Sequence, residues 1–166
     1  MIITIYIVLF IIVIVLFIWQ SSNLISAFLG APAVMMDRKV IIGALKLAKV
    51  EKGDIFYDLG CGNGQVLIEA AKMGAKATGF EVSPYYYILS KWRTAKYKNI
   101  EVKYRNINSI DLSKANVVYC YLLPKILNKI LFKKGNRLVS IGFKVINKKP
   151  EKIIKVKSHS IFYYRY

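Results

Sequence analysis

One run constrains this 166-residue chain more than any other: Phe56-Tyr57-Asp58-Leu59-Gly60-Cys61-Gly62-Asn63-Gly64. Ile55 to Asp58 has the apolar and aromatic character of a short strand. The glycines after it let the backbone turn sharply and approach a ligand closely. Gln65 to Met73 then carries Val66, Leu67, Ala70 and Ala71 on one stripe, the spacing of a helix laid on a sheet. Strand, glycine turn and helix make a ligand-binding βα unit. Spacing narrows the ligand. A phosphate loop needs Lys-Ser or Lys-Thr after the last glycine, and Gln65-Val66 stands there. A dinucleotide fingerprint needs its third glycine at position 65, and it falls at 64. What remains is GxGxG preceded by Asp58: an amide-rich turn with a carboxylate on its strand side, suited to a ligand with an anionic and a cationic end.

Glu81 is the second anchor. It closes the next expected strand, Lys76 to Glu81, about one βα unit further on. A carboxylate at that tip can accept both hydroxyls of a ribose. A nucleoside joined to an amino acid satisfies both sites, and S-adenosylmethionine is such a molecule.

Ile2 to Trp19 is apolar apart from Thr4 and Tyr6 and holds no charged side chain. At about 1.5 Å per residue it spans roughly 27 Å, against a bilayer core of about 30 Å. A secretory signal would carry a basic start and a shorter apolar core, and neither is present. The segment therefore reads as a single transmembrane anchor over 1–20. Residues 21–37 read as a linker and pre-core segment, and 38–166 as the folded domain. Every Lys and Arg lies after Met36, so the domain is expected on the cytoplasmic side. Cys61 in the turn and Cys120 in an expected buried strand suggest no disulfide framework, which suits a reducing compartment. The net charge of +17 invites a nucleic-acid partner. The lysines are scattered in pairs over most surface elements, however, so nucleic acid is not the expected partner. Beside an anchor, anionic lipid headgroups are the nearer one.

The remaining chain alternates helix and strand. Gln20 to Gly30 is expected to leave the membrane as a polar, small-residue stretch. Asp37 caps a helix with Ile41, Ala44, Leu45 and Ala48 inward. Ser83-Pro84 opens another, on which Tyr85, Ile88, Leu89, Trp92 and Ala95 share one face and are expected in the core. Strands are expected at Ile100–Arg105, Asn116–Tyr121 and Arg137–Phe143. A helix is expected from Pro124 to Phe132, stopped by Gly135. Two edge strands close the chain, Ile153–Ser158 and Ile161–Tyr166. The architecture is α/β, a Rossmann-like doubly wound, mostly parallel seven-strand sheet behind one N-terminal transmembrane helix.

The first motif resembles that of the seven-strand S-adenosylmethionine-dependent methyltransferases. From Gly30 to Tyr166 the chain is similar to the protein-lysine methyltransferases that include the ATP synthase c-subunit lysine methyltransferase and compact archaeal enzymes. Gly30–Val34, Tyr57–Gly64, Gly79–Pro84, Asp111–Val118 and Tyr121-Leu122-Leu123-Pro124 carry the likeness. The resemblance implies that Asp58, Gly60, Cys61, Gly62 and Gly64 hold the methionine end of the cofactor and that Glu81 takes the ribose. Asn106 falls where many relatives have an Asp for the adenine amino group. Tyr121 and Pro124 would border the transferred methyl, with Tyr121 orienting a substrate lysine. The substrate implied is a membrane-associated protein. A lipid or other small amphiphile is the alternative, as is a non-catalytic cofactor-binding adaptor. His159 is expected on the surface, and no metal site is expected. Two departures from the family pattern lie near the substrate entrance: Met35-Met36-Asp37 before the first helix, and Val145-Ile146-Asn147 where a tryptophan is common.

Overall fold

A computed structural model of the chain describes residues 1–28 and 35–166. The family-like Gly30–Val34 segment lies outside the described residues. Helix α1 runs from Ile2 to Phe28 and is followed by α2 (Arg38–Leu47), β1 (Ile55–Leu59), α3 (Gln65–Lys72), β2 (Lys76–Glu81) and α4 (Pro84–Thr94). Then come β3 (Ile100–Tyr104), a 3-10 turn (Ile107–Ser109), β4 (Val117–Cys120), α5 (Pro124–Leu127), β5 (Arg137–Ile141), β6 (Lys152–Val156) and β7 (His159–Arg165). The seven strands form one sheet in the order β3-β2-β1-β4-β5-β7-β6. β3 through β5 are parallel, while β7 runs antiparallel to both β5 and β6. The expected sheet is therefore observed, closing antiparallel pair included.

Strand order reverses between β1 and β4. Beyond the carboxyl ends of those two strands lies the crevice in which doubly wound sheets bind ligands. One side of the sheet buries Phe56, Tyr119, Val139 and Ile161 against Ile41 and Leu45 of α2 and Leu67 and Ala70 of α3. The other buries Leu59, Cys120, Leu122, Leu138 and Tyr164 with Leu127 of α5 and Leu112. Asp37 caps α2 by accepting from the Lys39 amide at 2.8 Å, and Ser83 caps α4 by accepting from the Tyr86 amide.

Three expectations are corrected. α1 does not end near Gln20 but continues to Phe28, because Ser21 to Phe28 contains neither glycine nor proline to break it. α5 stops at Leu127 rather than Phe132. Asn128 ends it by donating its side-chain amide to the Pro124 carbonyl at 2.7 Å, while its side-chain oxygen accepts from the Ile146 amide at 2.6 Å. The apolar stripe of α4 faces outward: Ile88 is 66 % and Trp92 76 % exposed, and Ala95 is exposed as well. The buried side of α4 is Ser90 and Thr94. The reason is the glycine turn. A Cβ at Gly64 would stand 3.0 Å from Thr94 Cγ2 and 3.3 Å from Ser90 Cβ, so only small side chains fit against it.

Candidate active site

β1 delivers Asp58 to the crevice almost fully buried, at 2 % exposure. Among the described residues no hydrogen-bond donor reaches its carboxylate, and burial, helped by nearby Glu81, pushes its pKa well above the usual carboxylate value. A buried carboxylate without a donor is costly unless a ligand supplies one. The turn after β1 is held from the neighbouring strand. The amides of Gly60 and Cys61 both donate to the Phe80 carbonyl, at 2.9 and 3.0 Å. Gly64 sits at φ +76° before α3, a left-handed conformation that side chains resist. Cys61 lies beneath the turn, its thiol pushed up by burial and then by Asp58 and Glu81. Gly79 on β2 makes room for it. A Cβ there would meet Leu67 Cδ1 at 2.5 Å and Cys61 Sγ at 2.7 Å.

Glu81 ends β2 and accepts three backbone amides. Oε1 takes Val82 and Ser83, each at 2.8 Å, and Oε2 takes Gly62 at 2.9 Å. Its carboxylate thus stitches the tip of β2 to the middle of the glycine turn. A carboxylate has about four lone-pair positions, so one remains beyond the three amides. Asn106, just beyond β3, is exposed and caps the 3-10 turn by accepting from the Asn108 amide at 3.0 Å. Its carbonyl keeps a second lone pair.

Tyr121 follows β4. Alternation along the strand puts it on the same face as Tyr119, whose Cα pairs with Asp58 in the register of β1 and β4. Its ring lies edge-on to His159, 6.1 Å between centroids. It also covers Gly142, where a Cβ would come within 3.1 Å of the ring. Leu122 turns to the opposite face, where a Cβ on Gly60 would meet its Cδ2 at 3.7 Å. Pro124 is exposed and starts α5.

Two residues of the site escape the sequence reading. Tyr119 reads as core, yet its buried hydroxyl has no hydrogen-bond partner among the described residues, and burial followed by Asp58 raises its pKa well above 10. His159 reads as a surface tail residue, but it is half-buried against Tyr121. Only the placement of β7 between β5 and β6 brings it there, and no local pattern announces that order.

The crevice thus gathers a buried strand-end carboxylate, a glycine turn and a glutamate at the tip of β2. The family model described as "ANTKMT methyltransferase domain" matches residues 58–152, more than half of the chain. The chain belongs to the ANTKMT methyltransferase domain family. A protein-lysine N-methyltransferase of Saccharolobus islandicus is 34 % identical over 155 residues, covering 80 % of this chain and 92 % of its own length. The human lysine N-methyltransferase of the ATP synthase c-subunit is 25 % identical over 99 residues, 58 % of this chain and 42 % of that protein. Among solved structures, an RNA methyltransferase of Salinibacter ruber in complex with S-adenosyl-L-homocysteine superposes with a TM-score of 0.75 at 26 % identity, covering 79 % of this chain and 92 % of that one.

Proposed function

We propose that this protein is a membrane-anchored S-adenosylmethionine-dependent methyltransferase that modifies lysine side chains of proteins at the membrane. The observation that carries the reading is the 34 % identity, over nearly its full length, with an enzyme named as a protein-lysine N-methyltransferase. The crevice fits the cofactor in chemistry as well as in kinship. Asp58 is a buried carboxylate lacking a donor, which an α-ammonium group supplies. The Tyr119 hydroxyl is a second unpartnered group beside it. Glu81 keeps one lone pair for a ribose hydroxyl, and Asn106 keeps one for an adenine amino group. Gly60, Cys61, Gly62 and Gly64 line the methionine end.

When bound, the cofactor supplies a methyl group already activated on a sulfonium. The protein's share is alignment and charge placement. A free lysine holds its proton up to a pKa of about 10.4, and desolvation lowers that value. Tyr121, backed by His159, and the partly exposed Leu123 offer an aromatic and apolar rim for that purpose. The Tyr121 hydroxyl would accept a hydrogen bond from the neutral substrate amine and so orient it. The displaced proton leaves to water. Pro124 fixes the chain at the mouth.

Residues 1–20 serve as the anchor, 21–37 connect, and 38–166 form the catalytic domain on the cytoplasmic side. Ile2–Ser21 is long and apolar enough to cross a bilayer, and none of it is buried in the fold. A cleaved leader has no need of tertiary contacts, whereas α1 packs against α4 and brings Trp19 beside Tyr86. That contact supports a retained helix.

The test is transfer from S-adenosylmethionine bearing a labelled methyl into membranes, followed by separation of protein, lipid and RNA. Label in discrete protein bands supports the proposal. Label confined to lipid makes the protein a small-amphiphile methyltransferase, and label confined to RNA gives it the substrate class of the Salinibacter enzyme. Cofactor binding with no transfer leaves an adaptor.

A further inference from the structure

The apolar face of α4 points away from the fold, and its surroundings say what covers it. Ile88 and Trp92 project on the side opposite Ser90 and Thr94, with half-buried Tyr85 on the same stripe. Lys91, Arg93 and Lys96 flank the stripe, and all three are exposed. No Asp or Glu occurs between Pro84 and Asn99, and none of the three cations forms an ion pair among the described residues. An apolar stripe edged by cations, with aromatic residues among the apolar ones, is the pattern of a helix lying in a membrane interface. Its position agrees. α4 is the helix on which α1 packs, and Trp19, the last residue of the uncharged apolar run, lies beside Tyr86. Tryptophan at the end of a span sits at headgroup level. Tyr86, one turn from Ser90, is thereby held at that level.

We infer that α4 is a second membrane contact: its Ile88–Trp92 face dips into the headgroup region of an anionic bilayer, with Lys91, Arg93 and Lys96 on lipid phosphates. Because Ser90 and Thr94 on the reverse of the same helix touch Gly64, this contact sets the orientation of the glycine turn and the crevice relative to the membrane. The inference rests on the reading of α1 as an anchor.

The chain has two tryptophans, at positions 19 and 92, so each is isolated by one substitution. Full-length Trp19→Phe and Trp92→Phe proteins are reconstituted in vesicles of phosphatidylcholine and phosphatidylglycerol. Quenching by lipids brominated near the headgroup end of the acyl chain, and by acrylamide in water, is then recorded. The expected result is strong quenching of Trp92 by the shallow bromolipid, weak quenching by acrylamide, and a shift of its emission to the blue. Replacing Lys91, Arg93 and Lys96 by Gln should reduce the bromolipid quenching toward its value in vesicles of phosphatidylcholine alone. Quenching by bromolipid of Trp19 but not of Trp92, with Trp92 open to acrylamide, overturns the inference and spares the anchor. Trp92 shielded from both quenchers also overturns it, in favour of a protein covering. Trp19 untouched by bromolipid, with the protein lost from the vesicles, overturns the anchor itself. Equal quenching with and without phosphatidylglycerol overturns the choice of an anionic surface.

Discussion

Glu81→Gln separates two tasks of one carboxylate: holding the glycine turn, which the fold shows, and taking the ribose, which is proposed. In the protein as folded, Glu81 receives amides from Gly62, Val82 and Ser83. A glutamine keeps one oxygen, which stays with Val82 and Ser83. Its NH2 then faces the Gly62 amide, donor against donor, and the turn loses its tie to β2. Hydrogen bonds to a charged group contribute about 1.5–3 kcal/mol, and an orphaned amide costs about 1–3 kcal/mol unless water reaches it. Gly62 is half-buried, with nothing within 4 Å of a Cβ built there, so the lower figure applies. The expected loss is about 1.5 kcal/mol, or roughly 3–6 °C in melting temperature for a chain of this size. The second task is the ribose. Losing one charge-assisted bond to a hydroxyl weakens cofactor binding by about ten- to a hundred-fold. Thermal unfolding without ligand and calorimetric titration with S-adenosyl-L-homocysteine read the two effects independently. Lower stability with unchanged affinity would refute Glu81 as the ribose acceptor. Unchanged stability would refute its role in holding the turn.

Gly79→Ala drives a methyl into Leu67 and Cys61 and should cost about 1–3 kcal/mol in urea unfolding, partly restored by Leu67→Ala in the same chain. Asp58 is raised in the free protein, and a bound ammonium favours its charged form. Binding should therefore release protons in the window above the ordinary value of 3.8 and below the raised free value. Titrations of S-adenosyl-L-homocysteine in buffers of different ionisation enthalpy read that release, and Asp58→Asn should abolish it. Glu69 lies below its usual 4.5 through the Arg38 hydrogen bonds and then Lys72. Its stabilisation is present above 4.5 and disappears as pH falls through the lowered value. Glu69→Gln should thus melt earlier than the parent at neutral pH and converge with it in acid.

How much of the fold and site is legible in the sequence follows from where the information sits. The βα unit and its glycine turn are local, and the inward stripes of α2 and α3 obey helical periodicity, so both can be read directly. The α4 stripe obeys the same periodicity, yet periodicity puts it on the wrong side. Pattern shows that a helix has an apolar face but not what covers it, and here the tight Gly64 contact claims the small-residue side. Asn128 ends α5 through side-chain hydrogen bonds that residue type alone does not reveal. Of the site, Asp58, Glu81 and the glycines are visible because strand ends in a doubly wound sheet are functional by position. Tyr119 looks like core because it is core, and only its missing partner distinguishes it. His159 requires the spatial order of β5, β7 and β6, a long-range fact.

The central claim is methyl transfer to lysine by this crevice at a membrane. Its most direct measurement incubates the full-length protein and its Asp58→Asn variant with membranes and methyl-labelled S-adenosylmethionine, then hydrolyses the labelled protein to amino acids. Label is expected as methylated lysine with the parent protein and is expected to be absent with the variant. Label recovered on another amino acid, or equal lysine methylation by the two proteins, would contradict it.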